Sequence, residues 1–324
     1  MGNEMKLGMT GAGMIVKELL SFIKDIKGID LEAIYARTNE NGRLEQLCKE
    51  YEIKRFYTDY DQMLTNHEID TIYIGISNHM HFEFAKKALL AGKHVICEKP
   101  FTVTMEEFDE LCTLAKKHHL FLLEAISNQY IPNYLRIKEE IKKLGNIRIV
   151  TCNYSQYSSR YDAFLQGDIK PAFDIKQAGG ALRDLNVYNI HFVVGLFGEP
   201  RAVKYYPNVV SGIDVSGILT MEYPDFQCVC IGAKDCSASI QSNIQGDKGY
   251  LCMAYPTNSC DGFSVCLNQK EPVEIQENQE KHRMFYEFVE FERMIREQSL
   301  EEIQSKLDQS RTVMKILASV SYQW

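Results

Sequence analysis

Four titratable side chains stand in places where their neighbours give them chemical interest. Lys99 follows the apolar run His94–Cys97 and Glu98, and it precedes Pro100. A lysine at the tip of a buried strand can have its pKa lowered by burial or a nearby cation, and it can then exchange a proton. Pro100 stiffens the turn after it, with a cis bond open to it. The other three, Asp184, Tyr188 and His191, interrupt an apolar stretch. Laid on a helical wheel at ~100° per residue, they fall within about 60° of one another, with Gly195 in the same stripe. Leu182, Leu185, Val187, Ile190, Val193, Val194 and Phe197 cover most of the remainder. Unpaired polar groups on a buried helix cost on the order of a few kcal/mol. The stripe therefore needs either internal partners or a ligand cleft.

A second set of residues suits a phosphate. The run Lys6–Thr10 reads as a strand and leads into Gly11-Ala12-Gly13-Met14-Ile15-Val16 and a helical segment. Glycines at 11 and 13 permit a tight turn and close approach of a pyrophosphate to the helix start, where free N–H groups favour anions. The third fingerprint position is Val16, neither Gly nor Ala, but strand, turn, helix and second strand follow in the right order. The second strand ends Ile34-Tyr35-Ala36-Arg37-Thr38, without the carboxylate that would hold a ribose 2′-hydroxyl. Arg37 and Thr38 suit a 2′-phosphate instead, which points to NADP in preference to NAD. A dinucleotide lies across the carboxyl ends of such strands, so the tip of His94–Cys97 faces the nicotinamide half. That puts Lys99 beside the reacting carbon and Glu98 within reach of the ribose or the lysine.

The elements that must position these groups are of two kinds. Up to residue 125, short apolar runs (Lys6–Thr10, Leu31–Ala36, Thr71–Ile76, His94–Cys97, Phe121–Glu124) alternate with helical-period segments (Met14–Lys27, Asn41–Tyr51, Asp59–Thr65, His81–Ala91, Met105–His118). That pattern predicts an α/β domain over 1–125, with a doubly wound parallel sheet of Rossmann type. Residues 126–324 are richer in consecutive strands: Ile147–Tyr157, Ala202–Val209, Gly217–Glu222, Phe226–Ala233, Ser237–Ile244, Tyr250–Ala254 and Phe263–Leu267. They predict an α+β domain with a large, open, mainly antiparallel sheet. The helix Ala181–Phe197 and an amphipathic tail over Lys281–Tyr322 complete it. The tail's apolar residues, such as Phe285, Phe288 and Phe291, read as packing against the sheet or the first domain.

Bulk properties narrow the class further. Of the 324 residues 45% are hydrophobic and 25% charged, with a formal net charge of −8. That balance argues against non-specific grip on nucleic acid or an anionic membrane. The opening thirteen residues do not read as a signal peptide, and no apolar run is long enough to span a bilayer. Ten cysteines with no CxxC read as reduced thiols of a cytoplasmic protein. Cys228 and Cys230 share a strand face, but no ligand partner lies nearby in sequence, so no metal is expected.

Several of these residues also carry a resemblance. Gly92-Lys93-His94-Val95 followed by Glu98-Lys99-Pro100, then Ser77-Asn78-His79-Met80-His81, then Gly179-Gly180-Ala181-Leu182-Arg183-Asp184 before an apolar helix ending Leu196-Phe197-Gly198, are similar to motifs of one family. It is the glucose–fructose oxidoreductase, inositol dehydrogenase and MocA-like (Gfo/Idh/MocA) oxidoreductase family, and the match spans almost the whole chain in order. The resemblance implies pyridine-nucleotide oxidoreduction of sugars, polyols and related alcohols, and a homodimer or homotetramer formed through the C-terminal sheet. It implies cofactor contacts from Ser77, Asn78 and His81 beside Gly11–Ile15, Arg37, Thr38, Glu98 and Lys99. Many members carry histidine four residues after the aspartate; here that position is Tyr188, as in the dihydrodiol- and xylose-dehydrogenase-like branch. Tyr188 is then the expected acid–base group, its phenol activated by Lys99, with His191 the alternative and Asp184 orienting substrate hydroxyls or Lys99. Gln129 replaces a common arginine, while Pro132 matches; Ser77 replaces a common proline. A nucleotide-bound sensor on the same scaffold is the competing expectation.

Overall fold

The computed structural model describes residues 4–279 and 281–321; Tyr322, the last residue of the expected tail, lies outside the described residues. The chain forms two compact units, one of Met1–Ala125 with Glu287–Arg311, the other of Ile126–Tyr286 with Thr312–Trp324.

In the first unit the strands are β1 (Met5–Thr10), β2 (Ile29–Tyr35), β3 (Arg55–Tyr57), β4 (Thr71–Ile74), β5 (His94–Glu98) and β6 (Leu122–Ala125). They form a parallel sheet in the order β3-β2-β1-β4-β5-β6. Strands β4 and β6 are buried end to end and β5 in all but its first residue, which is why they read as unbroken apolar runs. Strand β3 has no such run: two of its three residues are exposed. The helix expected over Met14–Lys27 stops at Leu20 and is followed by a 3₁₀ turn, Ile23–Asp25. The helix Met105–His118 has the expected bounds, set by a Thr104–Glu107 capping box at one end and His119 in the left-handed region at the other. Tail residues belong to this core: Phe288 meets the ring of Tyr73 edge-on at 5.4 Å and that of Phe291 at 5.5 Å.

The second unit holds β7 (Ile147–Ser155), β8 (Ala202–Val210), β9 (Ile213–Glu222), β10 (Gln227–Ala233), β11 (Ser242–Gly246), β12 (Gly249–Met253), β13 (Phe263–Leu267) and β14 (Val273–Ile275). Their order is β14-β13-β12-β11-β7-β10-β9-β8. Every neighbouring pair is antiparallel except β7 and β10. The segment expected as one helix over Ala181–Phe197 begins with a π turn, Leu182–Asn186, before the α-helix Val187–Phe197. Helices Pro132–Glu140 and Tyr161–Leu165 were not expected from the pattern. The tail is two helices, Arg283–Glu297 and Leu300–Val320. Among the described residues no helix is long and apolar enough to cross a membrane.

Candidate functional site

In the first unit the strand order reverses between β1 and β4, so a crevice opens at their carboxyl ends, where α/β sheets bind nucleotides. The glycine turn sits there. Gly11 has φ +95°, and a Cβ on it would strike the carbonyl of Gly75. A Cβ on Gly13 would meet nothing within 4 Å, so the turn presents open backbone to a ligand. The side chain of Val16 is fully buried, and a Cβ on Gly75 would come within 2.9 Å of its Cγ2. The close helix–strand approach usually given by the fingerprint's third glycine is supplied here by Gly75 after β4. These features fit a pyrophosphate at Gly11–Ile15.

Arg37 and Thr38 lie exposed beyond β2, at the same edge. Arg43 joins them: its Nη2 donates to the carbonyl of Ala12, in the glycine turn. The loop between is closed by Asn39, whose Oδ1 accepts from the Leu44 N–H at 2.8 Å. Arg43 carries no signal of its own in the sequence, since a charge at a helix start reads as solvated surface. Ser77 and Asn78 follow β4 and are partly exposed. Glu98 is buried and accepts from the Tyr73 hydroxyl at 2.7 Å, which holds the tip of β5 to its neighbour. Lys99 comes next, half-buried, and its peptide bond to Pro100 is cis.

His81 takes a different place from the one expected of a cofactor ligand. Its ring is fully buried, with Nδ1 3.0 Å from the Pro100 carbonyl and Nε2 3.1 Å from that of Ile76. Burial pulls its pKa down, and the two carbonyls partly offset that. His81 therefore sits between the loops after β4 and β5, with a carbonyl of each facing one of its ring nitrogens. Lys93 is likewise structural: its ammonium donates to the carbonyls of Asn66 and Ile69 at 2.9 and 2.7 Å.

In the second unit the helix carrying Tyr188 and His191 is held from two sides. Asn186 and Asn189 donate to the Cys230 and Ile231 carbonyls of β10 at 3.1 and 2.9 Å. Gly232 makes this approach possible, because a Cβ there would come within 2.8 Å of that of Asn186. From the other side Asn128, Gln129 and Tyr134 donate to the carbonyls of Tyr188, His191 and Phe192 at 2.8, 3.0 and 3.1 Å. Gln129, which stands where an arginine is common, is thus a buried support of the helix. The Tyr188 ring, 5% exposed, lies 6.2 Å from that of Tyr154. His191 is fully buried.

Asp184 sits in the π turn, a feature that often marks functional sites, so the simple wheel does not describe its direction. Its Oδ2 accepts from Lys234 Nζ at 2.7 Å. Asp214 anchors the start of the same segment, its Oδ2 accepting from the Leu182 N–H at 2.7 Å and the Tyr205 hydroxyl at 2.8 Å. Burial pushes the Asp214 carboxyl up to about 6, while these donors and the charge of Lys234 work the other way. Neither Lys234 nor Asp214 was identified from the sequence. Lys234 lies in Ala233-Lys234-Asp235-Cys236, which reads as an exposed turn, and Asp214 in the strand start Ile213-Asp214-Val215.

A doubly wound sheet with a glycine turn at its switch point, followed by a broad antiparallel sheet and a largely apolar helix with a few polar groups, has the make-up of a two-part nucleotide-dependent oxidoreductase. The profile described as an oxidoreductase family with an NAD-binding Rossmann fold matches residues 5–125, and the GFO/IDH/MocA C-terminal domain matches 134–252. Among curated proteins, scyllo-inositol 2-dehydrogenase (NADP(+)) IolU of Bacillus subtilis is 31% identical, over 98% of this chain and 97% of its own. Human trans-1,2-dihydrobenzene-1,2-diol dehydrogenase is 24% identical over 78% of this chain and 75% of its own. Among solved structures, the 3-ketoreductase KijD10 of Actinomadura kijaniata, in complex with NADP and TDP-benzene, superposes with a TM-score of 0.82 at 19% identity, over 98% and 97% of the two chains. Aldose-aldose oxidoreductase of Caulobacter crescentus gives 0.80 at 19% identity over 98% of each chain. The chain belongs to the Gfo/Idh/MocA oxidoreductase family, and it is an NAD(P)-dependent enzyme with relatives in the branch its Tyr188 suggested.

Proposed function

We propose that the enzyme interconverts an alcohol and a carbonyl on a sugar, a polyol such as an inositol, or a related small molecule, with NADP(H) in preference to NAD(H). The observation that carries this reading is Lys99 at the tip of β5, beside Glu98 and on the same crevice edge as the glycine turn. The relative IolU acts on scyllo-inositol with NADP(+), which supports both the substrate class and the cofactor.

Gly11–Ile15 hold the pyrophosphate, Arg37 and Thr38 with Arg43 hold the 2′-phosphate, and Ser77, Asn78 and Glu98 bound the nicotinamide end. When bound, the nicotinamide supplies or accepts the hydride. Tyr188 takes the hydroxyl proton on its phenolate oxygen in oxidation and returns it in reduction, and the Lys99 ammonium stabilises that phenolate. Asp184 accepts hydrogen bonds from substrate hydroxyls. His191 is the second choice for the proton, since its ring is fully buried.

The outer face of the second unit's sheet supports a homo-oligomer. Tyr206 pairs with Ile218 and Ile218 with Ile231 across β8, β9 and β10, and Tyr206, Ile218, Ile149 and Tyr250 are all exposed. An exposed apolar sheet face of this kind suits a second copy of itself. All ten cysteines are free thiols, five of them buried, which suits the reducing cytoplasm. The activity is tested by incubating the protein with NADP+ and a panel of inositols and aldoses while following the nicotinamide absorbance. A rate with at least one polyol is expected; no rate with any of them would overturn the substrate class.

A further inference from the structure

The ammonium of Lys234 is one of the few buried charges in the second unit, with 3% of its side chain exposed. Its backbone is fixed from both sides, with Lys234 N–H donating to the Val215 carbonyl at 2.8 Å and its carbonyl accepting from the Ser158 N–H at 2.8 Å. Its side chain reaches past the end of β10 to three groups. It donates to Asp184 Oδ2 at 2.7 Å and to the Ala172 carbonyl at 2.6 Å, and it lies 4.3 Å from the centroid of the Phe173 ring. That carbonyl also accepts from the Gly180 N–H at 3.2 Å, in the glycine pair that opens the π turn. A buried ammonium with a carboxylate, a carbonyl and an aromatic face around it is fully compensated, and removing its charge leaves the carboxylate without its cation.

We infer that Lys234 is a positioning residue for Asp184: it holds that carboxylate turned so that substrate hydroxyls can donate to it. This rests on the reading above that Asp184 touches substrate. Asp184 keeps 34% of its side chain exposed while its Oδ2 is held by the lysine, so the carboxylate is both anchored and reachable. The π turn explains why the anchor comes from the sheet: the turn's irregular backbone cannot orient Asp184 by helix geometry alone. The lysine also links Asp184 to the turn Pro171–Phe173, so substrate grip and the order of that turn are coupled through one ammonium.

The test is a double-mutant cycle on Lys234→Met and Asp184→Asn, assayed with NADP+ and the polyol giving the highest wild-type rate, with NADPH affinity read by fluorescence titration. Each single variant is expected to lose about 30-fold or more in kcat/KM, mostly through KM, while NADPH affinity stays within about twofold. In the Asp184→Asn background, Lys234→Met is expected to cost less than about threefold more, because the lysine acts through the aspartate. Losses that multiply in the double variant would overturn the inference, as would wild-type kcat/KM in Lys234→Met. If Lys234→Met does not fold, Lys234→Gln, which keeps a donor for the Ala172 carbonyl, takes its place in the cycle. Wild-type kcat/KM in Asp184→Asn would instead overturn the role of Asp184 itself, a result distinct from failure of the lysine alone.

Discussion

Val16 and Gly75 form a matched pair: the valine fills the helix position where a dinucleotide turn usually has its third glycine, and the glycine after β4 yields the space. The pair predicts that Gly75→Ala is destabilising, because the added methyl meets both Val16 and the Tyr73 ring at 2.9 Å. Overpacking of this kind costs about 1–3 kcal/mol. Urea denaturation of the two proteins measures it. An unchanged midpoint would show that the helix can retreat without cost.

The buried carboxyl of Asp214 makes stability depend on pH in a direction opposite to most acids. Its folded pKa stands at about 6 against an ordinary 3.8, so folding disfavours the ionised form. Below about 3.8 there is no penalty; it grows as pH rises through that window and is complete above about 6, where it amounts to about 3 kcal/mol. In Asp214→Asn that dependence vanishes. Urea melts at about pH 4 and about pH 7.5 should show the variant gaining on the wild type by about that amount on going to the higher pH. A constant difference would mean that Asp214 titrates as an ordinary acid.

Arg37 and Arg43 stand at the edge of β2 where a ribose 2′-phosphate would lie. The wild type is expected to bind NADPH more tightly than NADH, and Arg37→Ala and Arg43→Ala are each expected to lower that preference about tenfold. Fluorescence titration with each nucleotide decides it. Equal affinity of the unmutated protein for both nucleotides would end the NADP reading.

Ile218 lies at the centre of the exposed sheet face, flanked by Tyr206 and Ile231. Ile218→Asp puts a charge where a second copy would press. Light scattering after gel filtration should give an oligomer for the wild type and a monomer for the variant. A monomeric wild type, or an oligomer untouched by the aspartate, would remove the sheet from the account.

How much of this was legible in the sequence followed from whether the cause was local. The strands β1, β2, β4, β5 and β6 show as apolar runs because both faces are covered, and Thr104 with Glu107 marks a helix start within four residues. The place of Lys99 just past a buried strand could be read because that strand and a proline bracket it. The partnership of Val16 with Gly75 joins elements distant in sequence, and no local signal announces it. The π turn escaped notice because Leu182–Asn186 contains neither glycine nor proline. Lys234 escaped because a lysine after a strand looks like any solvated turn until the fold brings Asp184 and Phe173 around it. His81 was read as a ligand because its motif is shared with a family; only the two carbonyls around its ring show what holds it.

The central claim is that Tyr188 carries the proton of one alcohol–carbonyl interconversion and that Lys99 assists it electrostatically. It is tested most directly by measuring NADP+-linked polyol oxidation in Lys99→Ala and Tyr188→Phe while titrating NADPH into each. Turnover is expected to fall about 10³-fold in both, with NADPH affinity within about threefold of the wild type. Wild-type turnover in either variant would contradict the role assigned to that residue.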